Sequence, residues 1–145
     1  LTVRNYMVKT EEVGGVEYIM TSTDLGKTWK SMENTLGNIS HAHIFSDGTL
    51  MLATTGEIYW SEDYETLTPA QIIDEDGIPM DGYSGDFYSL KLGDKITYVD
   101  GVELYVWGDY ILSGGPVYIW YTADRGRTVK VAARFGKTLM GGQTP

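Results

Sequence analysis

The sequence predicts an all-β protein, and three observations predict it. Its 145 residues include 18 Gly, 11 Tyr and 4 Trp beside many Thr and Val. Aromatic and β-branched side chains suit a pleated surface, and glycine supplies the φ > 0 of tight turns. No stretch carries an apolar rhythm of 3.6 residues over three turns. Three segments, Glu17 to Trp29, Gly56 to Leu67 and Val117 to Val129, repeat one pattern of an aromatic-rich strand followed by a polar turn.

Composition then bounds the function. An apolar share of 42% in 145 residues allows one sizeable core. Eleven Lys plus Arg against 20 Asp plus Glu give a net charge of -9. The cations are scattered, so the chain lacks the clustered basic patch that nucleic acid requires. There is no cysteine, hence no disulfide framework, thiolate metal site or thiol nucleophile. No apolar run approaches the roughly 20 residues of a membrane helix. The chain opens at Leu1 and enters Tyr6-Met7-Val8, which reads as strand interior, so an excised or processed piece is expected.

Taken in order, the first strands are expected over Thr2 to Thr10 and Val16 to Thr21, separated by Gly14-Gly15, with an outer strand over Thr28 to Met32. The next group runs Ile39 to Phe45, a Ser46-Asp47-Gly48 hairpin, Thr49 to Thr54, Glu57 to Ser61 and a short Thr66 to Ile72. A third group has Asp86 to Leu92, Ile96 to Val99, the Asp100-Gly101 turn, Glu103 to Leu112, Val117 to Thr122 and Thr128 to Phe135. The segment Asp74 to Gly85 is the longest loop expected. In the repeats, Ile19, Ile58 and Ile119 fall in phase, as do Ser22, Ser61 and Thr122, and Asp24, Asp63 and Asp124. The Asp residues are separated by 39 (63 − 24) and 61 (124 − 63) positions. That spacing suits four-stranded propeller blades with variable loops.

The first repeat reads Ser22-Thr-Asp24-Leu-Gly26-Lys-Thr28-Trp29, and it resembles the Asp-box, or BNR, repeat S-x-D-x-G-x-T-W of sialidase-like β-propellers. Thr122, Asp124, Gly126 and Thr128 match it, with Val129 in place of the Trp. Ser61 and Asp63 keep the start of the motif, with Glu65 at the glycine position and one residue fewer before Thr66. The motif's chemistry is that of a turn: Asp and Ser or Thr side chains bind backbone amides, and Gly accepts a left-handed conformation. The three Asp residues are accordingly expected to be structural.

The resemblance implies an incomplete propeller: part of a first blade over 1–36, a second over 37–74, a third over 75–136 and the start of another over 137–145. Closed propellers have typically 4 to 8 blades, so further blades or partner chains are expected to complete the ring. It also implies a secreted, periplasmic or surface protein that acts on a glycan or polysaccharide as a glycoside hydrolase or lyase. The alternative is a non-catalytic glycan- or protein-binding module.

Inner strands line the channel of such a fold, which directs attention to Ile39-Ser-His41-Ala-His43. His41 and His43 are the only histidines, and their i, i+2 spacing places both on one face. Two imidazoles there suit an acid/base pair or two metal ligands. No third ligand is identifiable, so neither metal nor cofactor is expected. Tyr83-Ser-Gly-Asp86-Phe-Tyr88 would bring a carboxylate and phenols to the same opening, and the resemblance implies tyrosine beside acidic residues in sialidase-like and lyase sites. His41, His43, Asp86 and Tyr88 are therefore the catalytic candidates, with Tyr83, Trp60 and Trp107 as binding candidates. Strand tryptophans can stack on sugars or pack between sheets. The three-arginine clamp of sialidases is not matched: no F-R-I-P-like segment occurs, and Arg125 and Arg127, inside a repeat turn, are expected to face solvent. The run Asp74-Glu-Asp76-Gly77 through Asp81-Gly82 is dense in oxygen ligands but lacks calcium-loop spacing, and reads as a solvated acidic loop.

Overall fold

The structure, a computed structural model, describes residues 5–39, 41–54, 57–80, 95–99, 101–110 and 117–135. They form three sheets, antiparallel but for one added edge strand, and the described residues contain no helix. None of them therefore forms a helix long and apolar enough to cross a membrane.

The first sheet is a meander of β1 (Met7–Val13), β2 (Val16–Ser22) and β3 (Lys30–Glu33). Its first hairpin closes through Gly14 and Gly15, with φ of 60° and 83°, between the partners Val13 and Val16. A two-residue loop with both φ positive matches the strand twist. This carries β1 past Thr10, where the sequence predicts its end, through Glu11 and Glu12 to the turn.

The second sheet has the order β4 (His41–Ile44), β5 (Leu50–Thr54), β6 (Glu57–Ser61) and β7 (Thr68–Pro69). The single strand expected over Thr66 to Ile72 divides in two. After Ala70, β8 (Gln71–Ile73) leaves for the edge of the third sheet, where it pairs parallel to β12. Gln71 N–H donates to the Arg127 carbonyl at 2.9 Å as the chain crosses. The third sheet reads β8, β12 (Thr128–Phe135), β11 (Val117–Thr122), β10 (Val102–Tyr110), β9 (Lys95–Val99). A bulge between Ile119 and Trp120 leaves Ala132 without an opposite residue on β11. The strand expected over Asp86 to Leu92 lies outside the described residues.

Strand alternation makes these sheets a stack. Ile44, Leu50 and Leu52 turn one face of the second sheet toward Ile19, Val8 and Met32 of the first. Phe45, Met51, Ala53 and Ile58 turn the other toward Tyr105, Trp107, Trp120, Val129 and Val131 of the third. Every residue of β5 is buried because both its faces are covered, which is why Leu50-Met51-Leu52-Ala53 is apolar throughout rather than alternating. Each fully buried aliphatic or aromatic side chain contributes about 1.5–3 kcal/mol. The second sheet, between the other two, contributes half of the buried apolar side chains among the described residues.

Candidate functional site

The three repeat turns are built alike. Each joins two neighbouring strands of its sheet: β2 to β3, β6 to β7, β11 to β12. In the first, the Ser22 hydroxyl donates to Asp24 Oδ1 at 2.8 Å and accepts from Gly26 N at 2.8 Å. Asp24 in turn accepts from the amide of Thr28 at 2.9 Å and its hydroxyl at 2.6 Å. The third repeats this with Thr122 Oγ1 donating to Asp124 at 2.9 Å, Gly126 N donating to Thr122 Oγ1 at 2.9 Å, and Thr128 N donating to Asp124 at 2.8 Å. Leu25-Gly26 and Arg125-Gly126 both take left-handed conformations, with φ of 61° and 84°, then 57° and 90°.

The second turn is shorter by one residue. Ser61 Oγ accepts from Tyr64 N, and Asp63 accepts from Glu65 N and Thr66 N at 2.9 and 2.8 Å. Only Tyr64 is left-handed, at φ 62°. Glu65 is therefore not a replacement for the glycine. The glycine position is deleted, and Tyr64 takes the place of Leu25 and Arg125, its hydroxyl donating to the Gly48 carbonyl at 2.6 Å. The carboxylates accept hydrogen bonds in all three turns. The Thr28 hydroxyl and amide hold Asp24 down to about 2, and the Thr66 and Glu65 amides do the same for Asp63.

Of the catalytic candidates, His43 is half-buried between sheets. Its ring stacks on Tyr105 with centroids 4.3 Å apart and meets Phe45 edge-on at 4.7 Å. His41 pairs by backbone with Ala53. Its side chain lies outside the described residues, as do Asp86, Tyr88 and Tyr83. Of the binding candidates, Trp107 is 1% exposed and has no face open to a sugar. Trp60 is half-buried, and the Arg127 guanidinium covers its ring at 4.3 Å.

The arginines of the third turn stay partly exposed but also reach partners on the second sheet, which corrects the expectation that their place in a turn turns them to solvent. Arg127 also pairs with Glu62 at 3.0 Å and donates to Thr49 Oγ1 at 3.1 Å. Arg125 Nε approaches Glu103 at 3.3 Å and Asp47 at 3.6 Å. Glu103, 3% exposed, also accepts from the Ser46 hydroxyl at 2.8 Å and amide at 3.2 Å. This buried carboxylate ties β10 to the β4–β5 hairpin. Its signal in the sequence was its phase: Glu103 stands two and four residues before Tyr105 and Trp107 and so points inward with them.

The acidic loop is a turn held by its own side chains. Asp74 accepts from the amides of Asp76 and Ile78 at 2.8 and 2.9 Å, and its carboxyl is lowered chiefly by the Ile78 amide. Arg134 grips Glu75 with two bonds of 2.9 and 2.6 Å, lowering the carboxyl of Glu75 and raising its own pKa. Among the described residues no group of three or more His, Cys, Asp or Glu comes together to hold a metal ion. Open hollows lie among the described residues. One of about 220 Å³ lies between the first two sheets, lined by Val8, Thr10, Ile39 and Ala42 among others. Another, of about 260 Å³, lies on the outer face of the third sheet against Tyr121, Asp124, Thr128 and Lys130.

No family model, curated protein or solved structure matches this chain.

Proposed function

We propose that the chain is a run of Asp-box β-propeller blades of the sialidase-like kind, each sheet one blade, within a glycan-processing protein of the cell surface, periplasm or extracellular space. One observation carries this reading: three turns with the same Ser/Thr-to-Asp and Asp-to-amide hydrogen bonds, each joining two adjacent strands of its own sheet. On this reading β4 is an inner strand, and His41 and His43 with Asp86 and Tyr88 meet the glycan at the channel end. Such an acidic, aromatic lining suits a neutral or cationic sugar, or acid/base work on a uronic acid where further blades supply arginine.

A second reading, a non-catalytic binding or assembly module, is favoured by how the arginines are used. Arg125 and Arg127 are engaged between sheets and Arg134 holds Glu75, so none of these three is placed as a clamp for a substrate carboxylate. A glycan array followed by turnover assays on the glycans retained separates the two. Turnover abolished by His41→Ala and by Tyr88→Phe supports the catalytic version. Retention without turnover supports the binding module, and no retention of any glycan overturns both glycan readings.

A further inference from the structure

The first and third sheets correspond at a shift of 100 residues (124 − 24). Tyr18, Ile19, Asp24, Gly26, Thr28 and Lys30 recur as Tyr118, Ile119, Asp124, Gly126, Thr128 and Lys130. Next to the turn the backbone register recurs as well, since Thr21 pairs with Lys30 and Met20 with Ser31 as Tyr121 pairs with Lys130 and Trp120 with Val131, before the bulge at Ile119 shifts it by one. The shift therefore maps each face of β2 onto a face of β11. In the first sheet, the face of Ile19 and Thr21 is covered by the second sheet, leaving them 1% and 2% exposed. On that face Lys30 Nζ donates to the Asp63 carbonyl at 3.0 Å and pairs with Glu65 at 3.3 Å, both in the neighbouring turn. In the third sheet the same face holds Ile119, Tyr121 and Lys130 and is only half-buried, with a hollow of about 260 Å³ beside Lys130.

The opposite faces show the reverse. Tyr118 and Trp120 are 7% and 0% exposed against the second sheet, whereas their counterparts Tyr18 and Met20 are half-exposed, with Met7 beside them 42% exposed. Each end of the stack thus presents, uncovered among the described residues, the surface that its counterpart buries. The two are halves of one kind of contact.

We infer that the chain associates with itself head to tail, the Ile119–Tyr121–Lys130 face of one copy docking on the Tyr18–Met20 face of the next. The inference rests on the reading of each sheet as one repeated blade. The interior contacts supply the template: apolar side chains of both faces interleave, and Lys130 reaches the turn of the neighbouring copy as Lys30 reaches the second turn here. The contact is heterologous, so it propagates until it closes into a ring or runs on as a filament.

Light scattering of the purified chain over a dilution series tests this. The expected mass is a multiple of 16.1 kDa that falls on dilution, and a constant 16.1 kDa overturns the inference. Tyr121→Glu and Met20→Glu should each be monomeric alone, yet form a 1:1 dimer when mixed, because one intact face remains on each. Association of either variant alone, or none in the mixture, overturns the head-to-tail arrangement. Hydrogen exchange on the unmutated chain needs no variant to fold: concentration should raise protection at 18–20 and 119–121, and equal protection at all concentrations counts against docking. An experimental structure in which the first and third sheets fail to superpose at the shift of 100 would overturn the blade reading itself, whereas superposing sheets in a monomer would overturn only the association.

Discussion

The first and third turns have nearly the same local sequence and the same hydrogen bonds, yet they sit in different surroundings. Around Asp24, Gly26 lies near Trp29, itself half-buried beneath Lys9 at 4.5 Å, and Leu25 is 57% exposed. Around Asp124, a Cβ on Gly126 would stand 3.3 Å from Met51, a residue of the core, and both arginines reach across to the second sheet, Arg125 to Asp47 and Arg127 to Glu62. The residue after the final Thr follows suit: Trp29 at the open end, Val129 at 0% exposure in the core. Local sequence writes the turn, and the neighbouring sheet decides what the turn carries.

The sharpest test of that difference compares Trp120 with its counterpart Met20. Trp120→Ala empties a site that is 0% exposed and should cost about 3–5 kcal/mol in urea unfolding. Met20→Ala, on a half-exposed face, should cost no more than about 1 kcal/mol. Equal losses would mean that the two faces are covered alike. Next in size is Glu103→Ala, which removes the acceptor shared by Ser46 and Arg125 and should cost about 3 kcal/mol. Reversing Arg125 to Ala in the same background should then add little, because the pair is already broken.

Smaller again is Thr122→Val. It deletes the donor to Asp124 and strands the buried Gly126 amide, for about 2 kcal/mol. Ser22→Ala should follow it in direction, with glycan retention unchanged in both. Loss of retention without loss of stability would instead assign these turns to a binding site. The mildest effect is that of acid. Asp24 and Asp63 are held to about 2 in the fold against an ordinary 3.8. Because folding lowers their pKa, their stabilisation is complete above about pH 4 and disappears as the pH falls toward 2. Melting temperature followed between pH 5 and 2 should decline modestly, and Asp24→Asn with Asp63→Asn should flatten that decline.

Much of the fold was legible because strands and turns are local. The first and third turns were marked by hydroxyl, carboxylate and glycine at fixed spacing, and the second by its hydroxyl and carboxylate alone. Strand ends were less so: β1 runs on to Val13 because the Gly14-Gly15 hairpin sets the register, and charged Glu11 and Glu12 hide that continuation. The site was legible only as a list of residue types. His41 and His43 share a phase, but phase alone does not reveal that His43 is stacked between Phe45 and Tyr105, or that Trp60 lies under Arg127.

What the sequence by itself determined, then, are the β class, the repeat, its three turns and the alternation that gives each strand two faces. Those follow from side-chain chemistry acting over a few residues. The tertiary structure decided which faces are covered, that β8 leaves the second sheet for the third, and that Glu103, Arg125 and Arg127 form ties between sheets. Each of these depends on residues tens of positions apart, such as Ser46 with Glu103 and Arg127 with Thr49, and no local pattern records that separation. An arginine in a turn reads as a solvated charge until the neighbouring sheet places a carboxylate and an indole beneath it.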